Sequence, residues 1–243
     1  MGVIAIIQAR MGSTRFPGKS IAEIDGKPIL EIMMDQLSHC GMLEKTILAI
    51  PDTQDDDRLA ELAAHRNWNL FRGSEHDVLN RFYRAALREN ADPETGIVRL
   101  TGDDILPDPY LVDAVAQIYL AFDGQFDYIT TDRAGRLPYG AAVELMSFRA
   151  LETAHREATE ERDREHVVPY IKWSPDKFRS LELASSLDLS NAISVSIDTP
   201  PDLARAAKLV RLMRSRKSPP FHLSDILAAA PLALEENFSG EDA

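Results

Sequence analysis

Short apolar runs alternate with amphipathic stretches of helical period from the start of this 243-residue chain to about residue 230, and nothing else constrains its fold as strongly. Strands buried on both faces read as continuous apolar runs, and parallel neighbours need a crossover of a dozen or more residues, usually a helix. Runs near 2–8, 45–50, 68–71, 96–101, 126–131, 143–148, 178–184 and 193–197 read as strands. Between them, helices are predicted from Pro28 to Cys40, from Asp55 through Arg66, from Asp77 to Asn90, over Tyr110–Phe122 after Asp108-Pro109, over 149–165, and from about Pro201 to Arg216. The pattern predicts an α/β fold built on a doubly wound, mostly parallel sheet. The Arg- and Gly-rich stretch from Thr131 to Tyr139 breaks the alternation, and an antiparallel strand after it would form a small insertion over the open edge. Residues 1–230 read as one domain and 231–243 as a flexible tail.

The first strand runs into Gln8-Ala9-Arg10-Met11-Gly12-Ser13-Thr14-Arg15-Phe16-Pro17-Gly18-Lys19-Ser20, a loop with two arginines, a lysine, two glycines and three hydroxyls. Guanidinium forks grip phosphate oxygens in pairs, an ammonium adds a point charge, and glycine lets the backbone approach an anion. The segment is not a P-loop. Five residues separate Gly12 from Gly18 where that motif has four, and Pro17 removes a backbone donor. The loop is also followed by a short alternating stretch, Ile21 to Ile24, and an Asp25-Gly26 turn, where a P-loop would open a helix.

This loop resembles the signature of the sugar-activating cytidylyltransferases, those that make donors of the CMP-sialic-acid and CMP-KDO type, and most of all the spore coat polysaccharide biosynthesis protein F family. The resemblance continues through Phe71-Arg72-Gly73-Ser74, Asp77-Val78-Leu79 with Arg81, Arg99-Leu100-Thr101-Gly102-Asp103, Arg164-Glu165-His166 with Pro169-Tyr170, and Ser196-Ile197-Asp198-Thr199-Pro200 with Asp202. It implies a Rossmann-like nucleotide-diphospho-sugar transferase fold and transfer of a cytidylyl group from CTP to a sugar, in all expectation an acidic 2-keto-3-deoxy sugar, with release of pyrophosphate. By the same resemblance, Arg10, Arg15 and Lys19 serve the triphosphate, and Gly12, Ser13 and Gly18 shape the loop around it. Arg72, Gly73, Ser74 and Arg81 flank base and ribose, Asp103 and Asp198 hold Mg²⁺, and the protein is a homodimer.

Bland readings stand beside these. Asp103 ends a strand, Asp198 caps the helix after Pro200, Arg81 is a solvated arginine on an amphipathic helix, and His166 is structural where the resemblance puts it in the acceptor pocket. One departure from the family bears on the sugar: where relatives carry Gly-x-Asp-x-Glu, this chain has Gly140-Ala141-Ala142-Val143-Glu144, so Ala142 replaces an acid. Two other functions fit in part. A glycosyltransferase of similar sheet needs an Asp-x-Asp motif, against which Ile105 counts, and a non-catalytic nucleotide-binding subunit is compatible with the loss at Ala142.

Charge and cysteine content narrow the field. With 39 acidic against 27 basic residues the chain carries a formal charge of −12 and repels nucleic acid, since the basic cluster at residues 10–19 is too small for a duplex footprint. The lone Cys40 forms no internal disulfide and no cysteine metal cluster, and the other histidines lack metal-ligand spacing. The acidic run Asp55 to Asp57 reads as a solvated face. No apolar run is long enough for a signal or a membrane span, which predicts a cytoplasmic protein with no membrane partner.

Overall fold

A computed structural model describes residues 2–235. Strand β1 (Val3–Gln8) leads through the basic loop into a hairpin of β2 (Glu23–Ile24) and β3 (Lys27–Pro28), then α1 (Ile29–Leu37) and β4 (Lys45–Pro51). Helix α2 (Asp57–His65), β5 (Asn69–Gly73), α3 (Val78–Arg88), β6 (Gly96–Thr101) and α4 (Pro109–Ala121) complete the alternating half. Strands β7 (Tyr128–Thr130) and β8 (Glu144–Ser147) follow, then α5 (Phe148–Glu157), α6 (Glu161–His166), α7 (Pro169–Lys172), β9 (Ser180–Glu182), α8 (Pro200–Arg214) and α9 (Leu223–Leu234).

The seven-stranded sheet has the order β5-β4-β1-β6-β8-β7-β9. Its β5-β4-β1-β6 half is parallel, β8 runs antiparallel to both β6 and β7, and β9 is parallel to β7. Strand β1 explains the layering. Val3, Ala5 and Ile7 are buried against α1 and α4, whereas Ile4 and Ile6 are buried against α3 and α5 on the opposite face. After β1 the chain winds outward to β4 and β5, then returns to place β6 on the other side of β1. The carboxyl ends of β1 and β6 therefore flank the point where strand order reverses, which is where ligands bind in such sheets.

Three sequence expectations change. Residues 193–197 form no ladder strand: Ile193, Val195 and Ile197 do alternate into a third apolar cluster with α8 and α9, but the segment is linked to its neighbours by the isolated Asp104–Ser196 bridge and by single bonds from Val195 N–H to Tyr139 O and from Ile197 N–H to Asp103 O, not by a strand pairing. Its carbonyls are taken instead by the Arg205 guanidinium, Nε to Ser194 O at 3.1 Å and Nη2 to Ser196 O at 3.1 Å. The helix expected over 149–165 is broken, because Ala158 and Glu160 are extended and Arg164 folds back to donate to His155 O at 2.7 Å. The flexible tail expected from 231 does not begin there, since residues 231–234 finish α9 with Ala229, Ala230 and Ala233 buried; residues 236–243 lie outside the described residues.

Candidate active site

A cavity of about 370 Å³ opens at the carboxyl ends of β1 and β6, lined by Arg10, Ser13, Arg15, Lys19, Asp103 and Asp198 among others. The basic loop is held from outside the sheet. Met11 N–H donates to the Asp56 carboxylate at 2.8 Å, and Thr53 Oγ1 donates to the same carboxylate at 2.6 Å. Asp56 is buried, so the acidic run expected to be a solvated face instead supplies the loop's anchor; a buried carboxylate persists because donors satisfy it. Gly18 N–H and Ser13 N–H both donate to Met11 O, and Gly18 adopts φ 75°, a left-handed conformation that glycine takes without a Cβ penalty. Among the described residues, the N–H groups of Gly12, Thr14 and Arg15 have no acceptor within the chain.

Lys19 sits at the centre. Its ammonium donates to Asp103 Oδ2 at 2.7 Å, Asp198 Oδ1 at 2.9 Å and Ile197 O at 3.0 Å, and Arg15 Nη2 lies 3.0 Å from Asp198 Oδ1. Burial acts to lower the Lys19 pKa, but the hydrogen bonds and charges of the two carboxylates outweigh it and the net shift is upward. Residues 84 and 179 positions from Lys19 thus converge on one point. Asp198 is not a helix cap: Thr199 is the N-cap of α8 and Asp202 completes its capping box, accepting from Asp198 N–H at 3.1 Å and Thr199 N–H at 2.8 Å, which fixes the backbone that aims Asp198 at the cavity.

The two carboxylates form a donor set that suits Mg²⁺, which takes one or two carboxylates and completes its shell with phosphate oxygens and water. Among the described residues, no group of three or more His, Cys, Asp or Glu side chains could hold a metal by itself.

The predicted base-side residues divide. Arg81 is buried and lines the cavity, donating through Nη1 to Ser74 O at 2.5 Å, with burial pulling its pKa down to about 10. It is therefore no solvated helix residue. Arg72 lies away from the cavity, bound to Asp57 at 2.7 Å, Asp52 at 3.0 Å and Thr53 O at 2.7 Å. Gly73 and Ser74 support Arg81 rather than face the opening: Gly73 packs against the Arg81 stem, and Ser74 offers its carbonyl. Gln8 also lines the cavity, and its buried Oε1 has no partner. His166 lines it beside Val167, whose φ of 70° and Val168 N–H to His166 O bond of 2.8 Å make a strained γ-turn.

A second cavity of about 430 Å³ adjoins the first, and Arg99, Thr101, Asp104 and Tyr139 line both. This dividing wall escaped the sequence reading. Arg99 on β6 pairs in register with Glu144 on β8 and donates to it at 3.0 Å, and Tyr128 Oη donates to the other oxygen of Glu144 at 2.5 Å. Asp104 accepts from Thr101 Oγ1 at 2.5 Å, and burial followed by the Asp103 charge pushes its carboxyl up to about 6. Tyr139 is largely exposed and tied by its carbonyl to Val195 N–H at 2.9 Å; partial desolvation of its phenol against the wall and the nearby Asp104, Asp198 and Asp103 charges raise its pKa.

A family model described as cytidylyltransferase matches residues 4–222. The chain belongs to the cytidylyltransferase family. It is 32% identical over 182 residues to the spore coat polysaccharide biosynthesis protein SpsF of Bacillus subtilis, covering 73% of this chain and 72% of that protein. A 3-deoxy-manno-octulosonate cytidylyltransferase of Trichlorobacter lovleyi is 30% identical over 125 residues, covering 51% of this chain and 47% of that one. A solved cytidylyltransferase from Leptospira borgpetersenii superposes with a TM-score of 0.88 at 29% identity, covering 98% of this chain and 99% of that one. As a member of this family the protein is a nucleotidyltransferase. The glycosyltransferase alternative loses its second carboxylate in the structure too, since Ile105 is buried in the third apolar cluster.

No helix among the described residues is long and apolar enough to cross a membrane.

Proposed function

We propose that this nucleotidyltransferase transfers a cytidylyl group from CTP to the anomeric hydroxyl of an acidic 2-keto-3-deoxy sugar and releases pyrophosphate. The observation that carries the reading is the pair of adjoining cavities with one common wall, the first lined by the basic loop and the carboxylate pair. Nucleotidyl transfer needs an acceptor oxygen on one side of the α-phosphate and the leaving pyrophosphate on the other, so two compartments meeting at one wall suit it. The nucleotide would occupy the first, with Arg10, Arg15 and the unpaired N–H groups of Gly12 and Thr14 toward the β- and γ-phosphates. Arg81 and Gln8, a buried donor and a buried acceptor, would face the base. The sugar would enter the second cavity and present its hydroxyl at the wall of Arg99, Thr101, Asp104 and Tyr139.

Asp103 and Asp198 would hold Mg²⁺, which when bound neutralises charge on phosphate oxygens. Lys19 keeps the two carboxylates together by charge, and Asp202 keeps Asp198 aimed. Asp103→Asn and Asp198→Asn are each expected to lose most Mg²⁺-dependent pyrophosphate release while melting near the wild-type temperature. The double variant is expected to be little worse than either single one, because groups that act as a unit lose their effect non-additively. Near-wild-type turnover in Asp103→Asn contradicts the two-carboxylate site.

A further inference from the structure

The second cavity holds an unpaired cation that the proposed acceptor site does not by itself explain. Each carboxylate on its walls already has donors from the chain. Glu144 is held by Arg99 and Tyr128. Asp132 accepts from Arg136 N–H at 2.6 Å through Oδ1 and from Leu137 N–H at 3.1 Å through Oδ2, and Asp104 accepts from Thr101. The cations are less satisfied. Lys172, the last residue of α7, lines this cavity half-buried, and its ammonium has no hydrogen bond or ion pair among the described residues. Its one close contact is the Trp173 ring, 5.5 Å from the centroid. Arg99 adds a buried Nε with no partner, and Ala142 contributes only a methyl group to the same wall. The lining carboxylates, Asp104, Asp132 and Glu144, outnumber Arg99 and Lys172 but are already held by donors, whereas the Lys172 ammonium is not held by an acceptor, and an unpaired ammonium in a partly enclosed space is relieved by an anion.

We propose that Lys172 is the residue that selects a negatively charged acceptor, its ammonium pairing with the carboxylate of the sugar acid in the second cavity. This rests on reading that cavity as the acceptor site. A site built to pair a charge rejects the analogue lacking it, because its own group is then left without a partner. An ammonium that holds a carboxylate also acts on acceptor affinity and not on the triphosphate, since Lys172 lines the second cavity and not the first.

The test reads binding by calorimetry on the full chain, with CTP present and divalent cations chelated, using 3-deoxy-manno-octulosonic acid and its neutral carboxamide. The wild type is expected to prefer the acid by about 10- to 100-fold, the range for a charge-assisted hydrogen bond. Lys172→Met is expected to bind acid and amide alike with CTP affinity unchanged, Lys172→Arg to keep the preference, and Ala142→Asp to weaken it by placing a competing carboxylate on the wall. Preference for the acid retained in a folded Lys172→Met, or no preference in the wild type, overturns the inference. Pyrophosphate release by the wild type separates the two readings. Absent release with the acid preference intact removes the proposed reaction but not the anion reader, and normal release with preference intact in Lys172→Met does the reverse.

Discussion

Replacing Lys19 by methionine removes the ammonium between Asp103 and Asp198 while keeping most of the side chain's volume. In the wild type that ammonium makes contacts of 2.7 and 2.9 Å to carboxylates whose side chains are 26% and 21% exposed, from a lysine side chain itself 13% exposed. Fully exposed ion pairs contribute roughly 0–1 kcal/mol, whereas removing one partner of a buried pair costs roughly 3–5 kcal/mol. A site between these limits implies a loss of about 1–3 kcal/mol, read as a lower urea midpoint with unchanged slope. The sign with pH follows from the upward shift of the Lys19 pKa above its ordinary 10.5. Its contribution is fully present below that value and is lost as pH rises through the higher folded-state value, so the deficit of Lys19→Met is constant from pH 6 to 9 and closes only in strong alkali. Asp198→Asn added to Lys19→Met is expected to recover part of the loss by ending the carboxylate repulsion. Millimolar Mg²⁺ alone is expected to raise the melting temperature of Lys19→Met more than that of the wild type, since in the variant the ion meets two carboxylates with no competing ammonium. A Lys19→Met protein with the wild-type midpoint and the wild-type response to Mg²⁺ refutes this electrostatic account of the site.

Two further outcomes are specific to the wall between the cavities. Gly140 has φ 90°, and a Cβ there would lie 2.7 Å from Asp104 Oδ1 and 2.9 Å from Ser196 N; Gly140→Ala is therefore expected to cost roughly 1–3 kcal/mol in chemical denaturation and to impair acceptor use more than CTP binding. A wild-type melting curve and acceptor KM in that variant contradict it. For Asp104, whose carboxyl is raised from 3.8 to about 6 by burial and then by Asp103, the folded state holds the proton more tightly than the unfolded chain. Stability from this group is thus full below pH 3.8 and is lost as pH rises through 6, by roughly 1–3 kcal/mol. Asp104→Asn is expected to lack that fall in denaturant midpoints measured from pH 4 to 7, and parallel profiles contradict the assignment.

The parallel half of the sheet and its switch point were legible because β1, β4 and β6 are apolar runs with amphipathic helices between them. The same legibility extended to Asp103 and Asp198, which follow such runs and converge through Lys19. The pattern misled where tertiary partners replaced a ladder. Ile193, Val195 and Ile197 alternate as a strand does, yet Arg205 takes the carbonyls that a neighbouring strand would have used. Asp56 was hidden inside an acidic run, because nothing local reveals that its oxygens accept from Met11 and Thr53. Helix α9 has no counterpart among the expected helices, the last of which ends near Arg216, although Ala229, Ala230 and Ala233 pack inward along it. The wall of Arg99, Thr101, Asp104 and Tyr139 depends on the antiparallel register of β6 with β8, which sets Arg99 beside Glu144, and on a loop from a third element. No spacing in the chain encodes that meeting.

The central claim is tested most directly by pyrophosphate release from the purified protein with Mg²⁺, each of the four nucleoside triphosphates in turn, and a panel of sugar acids beside neutral sugars. The account predicts release with CTP and a 2-keto-3-deoxy sugar acid, and little or none when either the base or the acid is changed; release that is indifferent to the sugar, or absent with CTP across the panel, contradicts it.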